Sequence, residues 1–188
     1  MPNTRPNLLF TLLRSSLPRF TFSLSTSSRC MLLVLSLSSM AHADMLPVIT
    51  GDTWLNSTPL GADDLTGKVV LVKFWTYGCH NCNAVEPYVI DWYNKYAEQG
   101  LKIIAIHTPE FSHERQLDNV RAYIKRHDVP YPVVLDNDFD NWRRFSNRYW
   151  PTIYLADRKG QLRYRKIGEG SYGQTEQWIQ KLLSEKTD

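Results

Sequence analysis

Cys79 and Cys82 stand three positions apart in Cys79-His80-Asn81-Cys82, a spacing suited to dithiol and disulfide exchange. Residues i and i+3 of a helix share a face, so the second sulfur can reach a mixed disulfide formed at the first. The run Val69-Val70-Leu71-Val72-Lys73-Phe74-Trp75 precedes the pair and reads as a strand buried on both faces. A Cys-x-x-Cys where such a strand passes into a helix, in a βαβ context, is a redox signature. Cys79 then occupies the helix N-terminus, where unpaired backbone N–H groups and the macrodipole favour its thiolate. That makes Cys79 the nucleophile and Cys82 the resolving thiol. The competing use of such a pair is half a zinc site. A closed structural zinc site takes about four ligands, usually as two paired motifs. Neither His80, His107, His113 nor His127 is paired at the required spacing with a further cysteine. The chemistry therefore requires no metal, and no cofactor beyond the redox-active Cys79-Cys82 disulfide.

The elements that must hold this centre follow from hydrophobic period and turn residues. Val85, Tyr88, Val89, Trp92 and Tyr96 recur at helical spacing, predicting a helix over 81–99 that ends at Gly100. Strands are predicted over 101–106, 132–135, 152–155 and 162–167, the last two joined by a turn at Asp157-Arg158-Lys159-Gly160. Helical segments are predicted over 119–127, 140–148 and 174–183. Residues 44–67 are rich in turns, with Thr53-Trp54-Leu55 as part of an edge hairpin. The order β-α-β-α-β(α)-β-β-α defines an α/β fold, a central mixed sheet with helices on both faces.

A chain of 188 residues has room for one domain with a sizeable core. It divides into a leader over 1–43 and a domain over 44–188. The leader holds Arg5, Arg14, Arg19 and Arg29, no acidic residue and many Ser and Thr. The apolar run Met31-Leu32-Leu33-Val34-Leu35-Ser36-Leu37 follows, then Ala41-His42-Ala43. That is the order of a secretory signal peptide and places the domain in the periplasm or otherwise outside the cytoplasm. The run is about half of the roughly 20 residues that span a bilayer, which argues against a permanent anchor. An arginine-rich, acid-free segment also suits an organellar transit peptide. Losing the four leader arginines takes the net charge from +3 to −1, and Cys30 goes with them. No clustered basic surface remains for nucleic acid.

Residues 68–82, with Pro87 after them, resemble the TlpA/ResA/DsbE-like thioredoxins. His107-Thr108-Pro109-Glu110-Phe111, Leu135-Asp136-Asn137-Asp138, Asn147-Arg148-Tyr149-Trp150-Pro151 and Gly168-Glu169-Gly170 narrow the likeness. They resemble the periplasmic thioredoxin-like domain of DipZ-type cytochrome c biogenesis proteins, over residues 68–183. The resemblance implies a thioredoxin fold and a thiol:disulfide oxidoreductase acting on the thiols and disulfides of client proteins. It also implies recharging by a membrane electron donor of the DsbD/CcdA kind; a monomer is expected. Pro151 is then a cis-proline facing the disulfide, and the backbone of Trp150 pairs with an extended client segment. The alternative is a proline opening a strand. Trp75, Tyr77 and Trp150 would form an aromatic rim or belong to the core. His80 and Asn81 form the dipeptide that tunes redox potential, on a scale from about −270 to about −120 mV in known centres.

Six residues before the first cysteine, many thioredoxins place a buried carboxylate that relays protons; this chain has Lys73. A buried ammonium must snorkel, lose its proton or find a partner. Glu86 is the candidate, because Cys79, Cys82 and Glu86 fall on one helical face. The pair would sit beneath the cysteines and take over the relay; otherwise Lys73 reaches solvent and Glu86 is unrelated to it. His107 and Glu110 follow the second core strand, whose carboxyl end opens on the side of Cys79, and belong either to the rim or to a solvated loop. The residues leave three functional readings: a reductant of client disulfides, an oxidase or isomerase, and a copper(I)-delivering pair of thiolates. The chain has no Met-rich or His-rich tract to support the last.

Overall fold

The computed structural model describes residues 44–186; the leader expected over 1–43, with Cys30, lies outside them. In chain order the elements are β1 (Trp54–Leu55), α1 (Ala62–Leu65), β2 (Val69–Trp75), α2 (His80–Tyr96), β3 (Leu101–His107), α3 (Leu117–Arg126), β4 (Val133–Leu135), α4 (Asp140–Arg144), β5 (Thr152–Ala156), β6 (Leu162–Ile167) and α5 (Tyr172–Ser184). A 3-10 turn at Ser112–Arg115 precedes α3. The six strands form one mixed sheet in the order β1-β4-β3-β2-β5-β6. β2, β3 and β4 run parallel, whereas β1, β5 and β6 pair antiparallel to their neighbours.

β2 lies between β3 and β5, and every one of its residues is buried. Alternation along it separates two packed layers. Val69, Leu71 and Trp75 pack with Cys82, Val85, Val89 and Trp92 of α2, and with α3 and α5. Val70, Val72 and Phe74 pack on the other face with Ile49, Phe145 and Tyr154. Lys73 shares the parity of Leu71 and Trp75, so its side chain is directed under α2.

The segment before β2 differs from the expected hairpin. Trp54 and Leu55 do form an edge strand, but they pair with Val134 and Val133 of β4. Met45 instead bridges to Gln161 beside β6. The two parts of the segment thus lie at opposite edges of the sheet, too far apart to pair with each other. The helix expected over 140–148 ends at Arg144, because Ser146 takes a left-handed backbone with φ 48°. Among the described residues no helix is long and apolar enough to cross a membrane.

Candidate active site

β2 delivers the chain to the centre through a tight turn in which the Cys79 N–H donates to the Thr76 carbonyl at 3.3 Å. Cys79 is the N-cap of α2, with extended backbone, and its Sγ accepts the Cys82 N–H at 3.2 Å. This is the contact by which a helix end stabilises a thiolate. A disulfide joins Cys79 to Cys82, with Cα atoms 5.2 Å apart. Cys79 is half-buried, whereas Cys82 is wholly buried. An incoming group therefore meets Cys79 first.

Beneath α2, Lys73 and Glu86 meet. The Lys73 ammonium lies 2.5 Å from Glu86 Oε2 and donates to the Tyr131 hydroxyl at 3.1 Å. Tyr131 in turn donates to Glu86 Oε1, closing a triangle. All three side chains are buried. Burial holds the Lys73 ammonium below its ordinary pKa against the opposing pull of Glu86. Burial and the neighbouring Glu86 charge push the Tyr131 phenol well above its own. The Lys73 ammonium also lies 5.1 Å from the Trp75 ring centroid. Glu86 follows Cys82 by one helical turn, so the triangle lies on the cysteine face of α2.

The structure corrects the expected rim at one residue. Trp75 is 1% exposed and packs against His107 and Tyr123 in the core, so it cannot touch a client. The reason is parity: Trp75 lies on the face of β2 that α2 and α3 cover. Tyr77 and Trp150 are half-buried, and His80 and Asn81 are exposed on the first turn of α2. The Trp150–Pro151 peptide is cis. Phe74 pairs with Thr152, so Pro151 is opposite the end of β2 from which the cysteine turn departs. Trp150 donates its indole N–H to the Thr108 carbonyl at 3.0 Å.

His107 is wholly buried rather than solvated, its Nε2 3.3 Å from the Thr76 hydroxyl. Burial lowers its pKa to about 4, so the ring is neutral near pH 7. Glu110 is exposed, although its backbone N–H points at a residue the motifs did not single out, Glu114. The Glu114 carboxylate is buried and accepts N–H groups from Gly78 at 3.1 Å, Glu110 at 2.6 Å and Phe111 at 3.1 Å. Burial opposes its ionisation, but these donors prevail and lower its pKa. A Cβ on Gly78 would approach Glu114 Oε1 to 2.2 Å, so the close contact requires glycine. Glu114 lies in the 3-10 turn soon after His107 and Glu110, but only a tertiary contact reveals its role. Tyr131, beside Pro132 at the start of a short strand, gives no sequence signal either.

Residues 44–165 match the AhpC/TSA family. Over 152 residues the chain is 41% identical to Protein DipZ of Mycobacterium bovis, covering 79% of this chain and 22% of the length of that protein. It is 32% identical to Thiol-disulfide oxidoreductase ResA of Bacillus cereus over 130 residues, 69% of this chain and 72% of ResA. Among solved structures, a thioredoxin-like protein in the oxidised form superposes with a TM-score of 0.70 at 29% identity, covering 79% of this chain and 100% of that one. Strand order, cysteine turn and sequence agree: the chain belongs to the AhpC/TSA family and has its thioredoxin-like fold.

Proposed function

We propose that the chain is an exported thiol:disulfide oxidoreductase that reduces disulfides in client proteins. The observation that carries this reading is the unequal placement of two joined sulfurs, Cys79 half-buried at the helix N-cap and Cys82 enclosed beneath it. In the reduced protein the Cys79 thiolate attacks a client S–S bond, forming a mixed disulfide and expelling one client thiolate. Cys82 gives up its proton and attacks the Cys79 sulfur. The Cys79–Cys82 bond forms, the mixed disulfide breaks, and the second client thiolate leaves with the electron pair. Two electrons have passed to the client. Lys73, Glu86 and Tyr131 serve as the acceptor network for the Cys82 proton.

Pro151 and the Trp150 backbone hold an extended client segment, with Tyr77, His80 and Asn81 around it. The likeness to DipZ and ResA supports work on periplasmic clients, including those of cytochrome c maturation, with recharging by a membrane donor of the DsbD/CcdA kind. Export would use the leader over 1–43 and release a monomeric domain over 44–188.

The test uses the exported protein, reduced and mixed with a disulfide-containing model protein. Cys82→Ser should accumulate a mixed disulfide through Cys79, whereas Cys79→Ser should accumulate none. Trapping by Cys79→Ser alone would reverse the assigned roles. No electron transfer from wild type would remove the oxidoreductase reading.

A further inference from the structure

Glu114 is a buried carboxylate with no Lys or Arg ion-pair partner among the described residues. All three of its hydrogen-bond donors are backbone N–H groups, and one of them, that of Gly78, belongs to the turn that ends at Cys79. The same turn is tied again where the Tyr77 hydroxyl donates to the His113 carbonyl at 2.9 Å. The two residues directly before the nucleophile are therefore fixed to one short segment.

We propose that Glu114 is a positioning residue for Cys79, clamping the turn that presents it and setting a permanent negative charge beside it. That charge biases the sulfur pair toward the disulfide, and so toward work as a reductant. The inference rests on the oxidoreductase reading.

The sign follows from electrostatics. Reduction creates a thiolate at Cys79, and a fixed anion nearby raises the free energy of that state. The thiol becomes less acidic and the disulfide more stable relative to the dithiol. The groups facing the carboxylate do not cancel its charge. His107 of β3 is neutral near pH 7, and Asn119, which donates to the Tyr77 hydroxyl, carries no charge. Within the segment, Glu110 directs its N–H at Glu114, His113 is stacked on Phe111, and Arg115 donates to the Asn137 carbonyl. His80 is exposed on α2.

The experiment equilibrates the exported protein with glutathione at fixed pH. In this exchange the Cys79–Cys82 bond breaks and the S–S bond of glutathione disulfide forms. Two electrons pass from two glutathione thiols to the protein sulfurs; Cys82 ends as the thiol, Cys79 as the thiolate, and the remaining proton is released to solvent. Glu114→Gln keeps the side-chain shape and removes the charge. It should move the equilibrium toward the dithiol by a factor of roughly ten, about 30 mV for a two-electron couple. The pH midpoint of Cys79 alkylation should fall in parallel. Gly78→Ala expels the same carboxylate sterically and should shift both readouts in the same direction, which decides the matter if Glu114→Gln does not fold. A folded variant with unchanged equilibrium and midpoint, or with a shift toward the disulfide, would overturn the inference. If wild type itself fails to exchange with glutathione, it is the oxidoreductase reading that falls.

Discussion

Two buried glutamates flank the cysteine turn in the chain's contacts, Glu86 on the helix that follows it and Glu114 bonded to the Gly78 N–H that precedes Cys79, and their charges are held in different ways. Glu86 faces an ammonium and a phenol, both able to give or take a proton. Glu114 faces backbone N–H groups, which offer hydrogen bonds and never change charge near neutral pH. A carboxylate of the first kind can pass protons; one of the second kind sets a constant field. The molecule thus has a proton-handling network beneath the enclosed sulfur and a fixed charge beside the half-buried one.

The largest effect expected from testing this contrast is at the ion pair. Lys73→Met leaves Glu86 buried without its cation and should destabilise the protein by about 3–5 kcal/mol in denaturant unfolding. Lys73→Met combined with Glu86→Gln should recover much of that loss, and the two changes should be strongly non-additive in the rate of the resolving step. Additive effects on both readouts would mean that the two groups act independently, and the contrast with Glu114 would lose one side.

A second test concerns the neutral surroundings of Glu114. His107 has a folded pKa of about 4 against 6.5 for an ordinary histidine. Its unfolded form binds the proton more readily, so its stabilisation is complete above about pH 6.5 and is lost as pH falls toward 4. The loss should reach about 3 kcal/mol by pH 4. Unfolding measured from pH 8 to 4 in wild type and His107→Phe should show this acid limb only in wild type. A limb of equal size in both would show that His107 is not its source.

The smallest effect is the sharpest on mechanism. Tyr131→Phe removes one hydroxyl from the triangle and should cost about 1–2 kcal/mol of stability. It should slow resolution by Cys82 while leaving the alkylation midpoint of Cys79 unchanged. A shifted midpoint would mean that the two networks are electrically one.

Much of this arrangement was legible in the sequence, because it rests on local pattern. The apolar run before Cys79 has to be a central strand, and the period of Val85, Val89 and Trp92 has to be a helix. Lys73 and Glu86 could be paired on paper because each sits on an element whose faces are countable. Trp75 was harder to place. In a strand buried on both faces, hydropathy cannot say which layer a side chain enters, so rim and core both stay open for this tryptophan. Glu114 and Tyr131 were out of reach for another reason. Each acts through a contact with residues 36 or more positions away, from a loop or a strand start with no periodicity. The edge hairpin failed similarly: Thr53-Trp54-Leu55 has strand character, but nothing nearby reveals that its partner is β4.

The Gly78 contact has a spectroscopic consequence. An amide proton held against a buried carboxylate should resonate well downfield of ordinary glycine amides and exchange slowly with solvent. Gly78 directly precedes Cys79, so its frequency should move when the neighbouring sulfur gains or loses charge. One backbone resonance, without any introduced label, could then follow the redox state of the centre in real time.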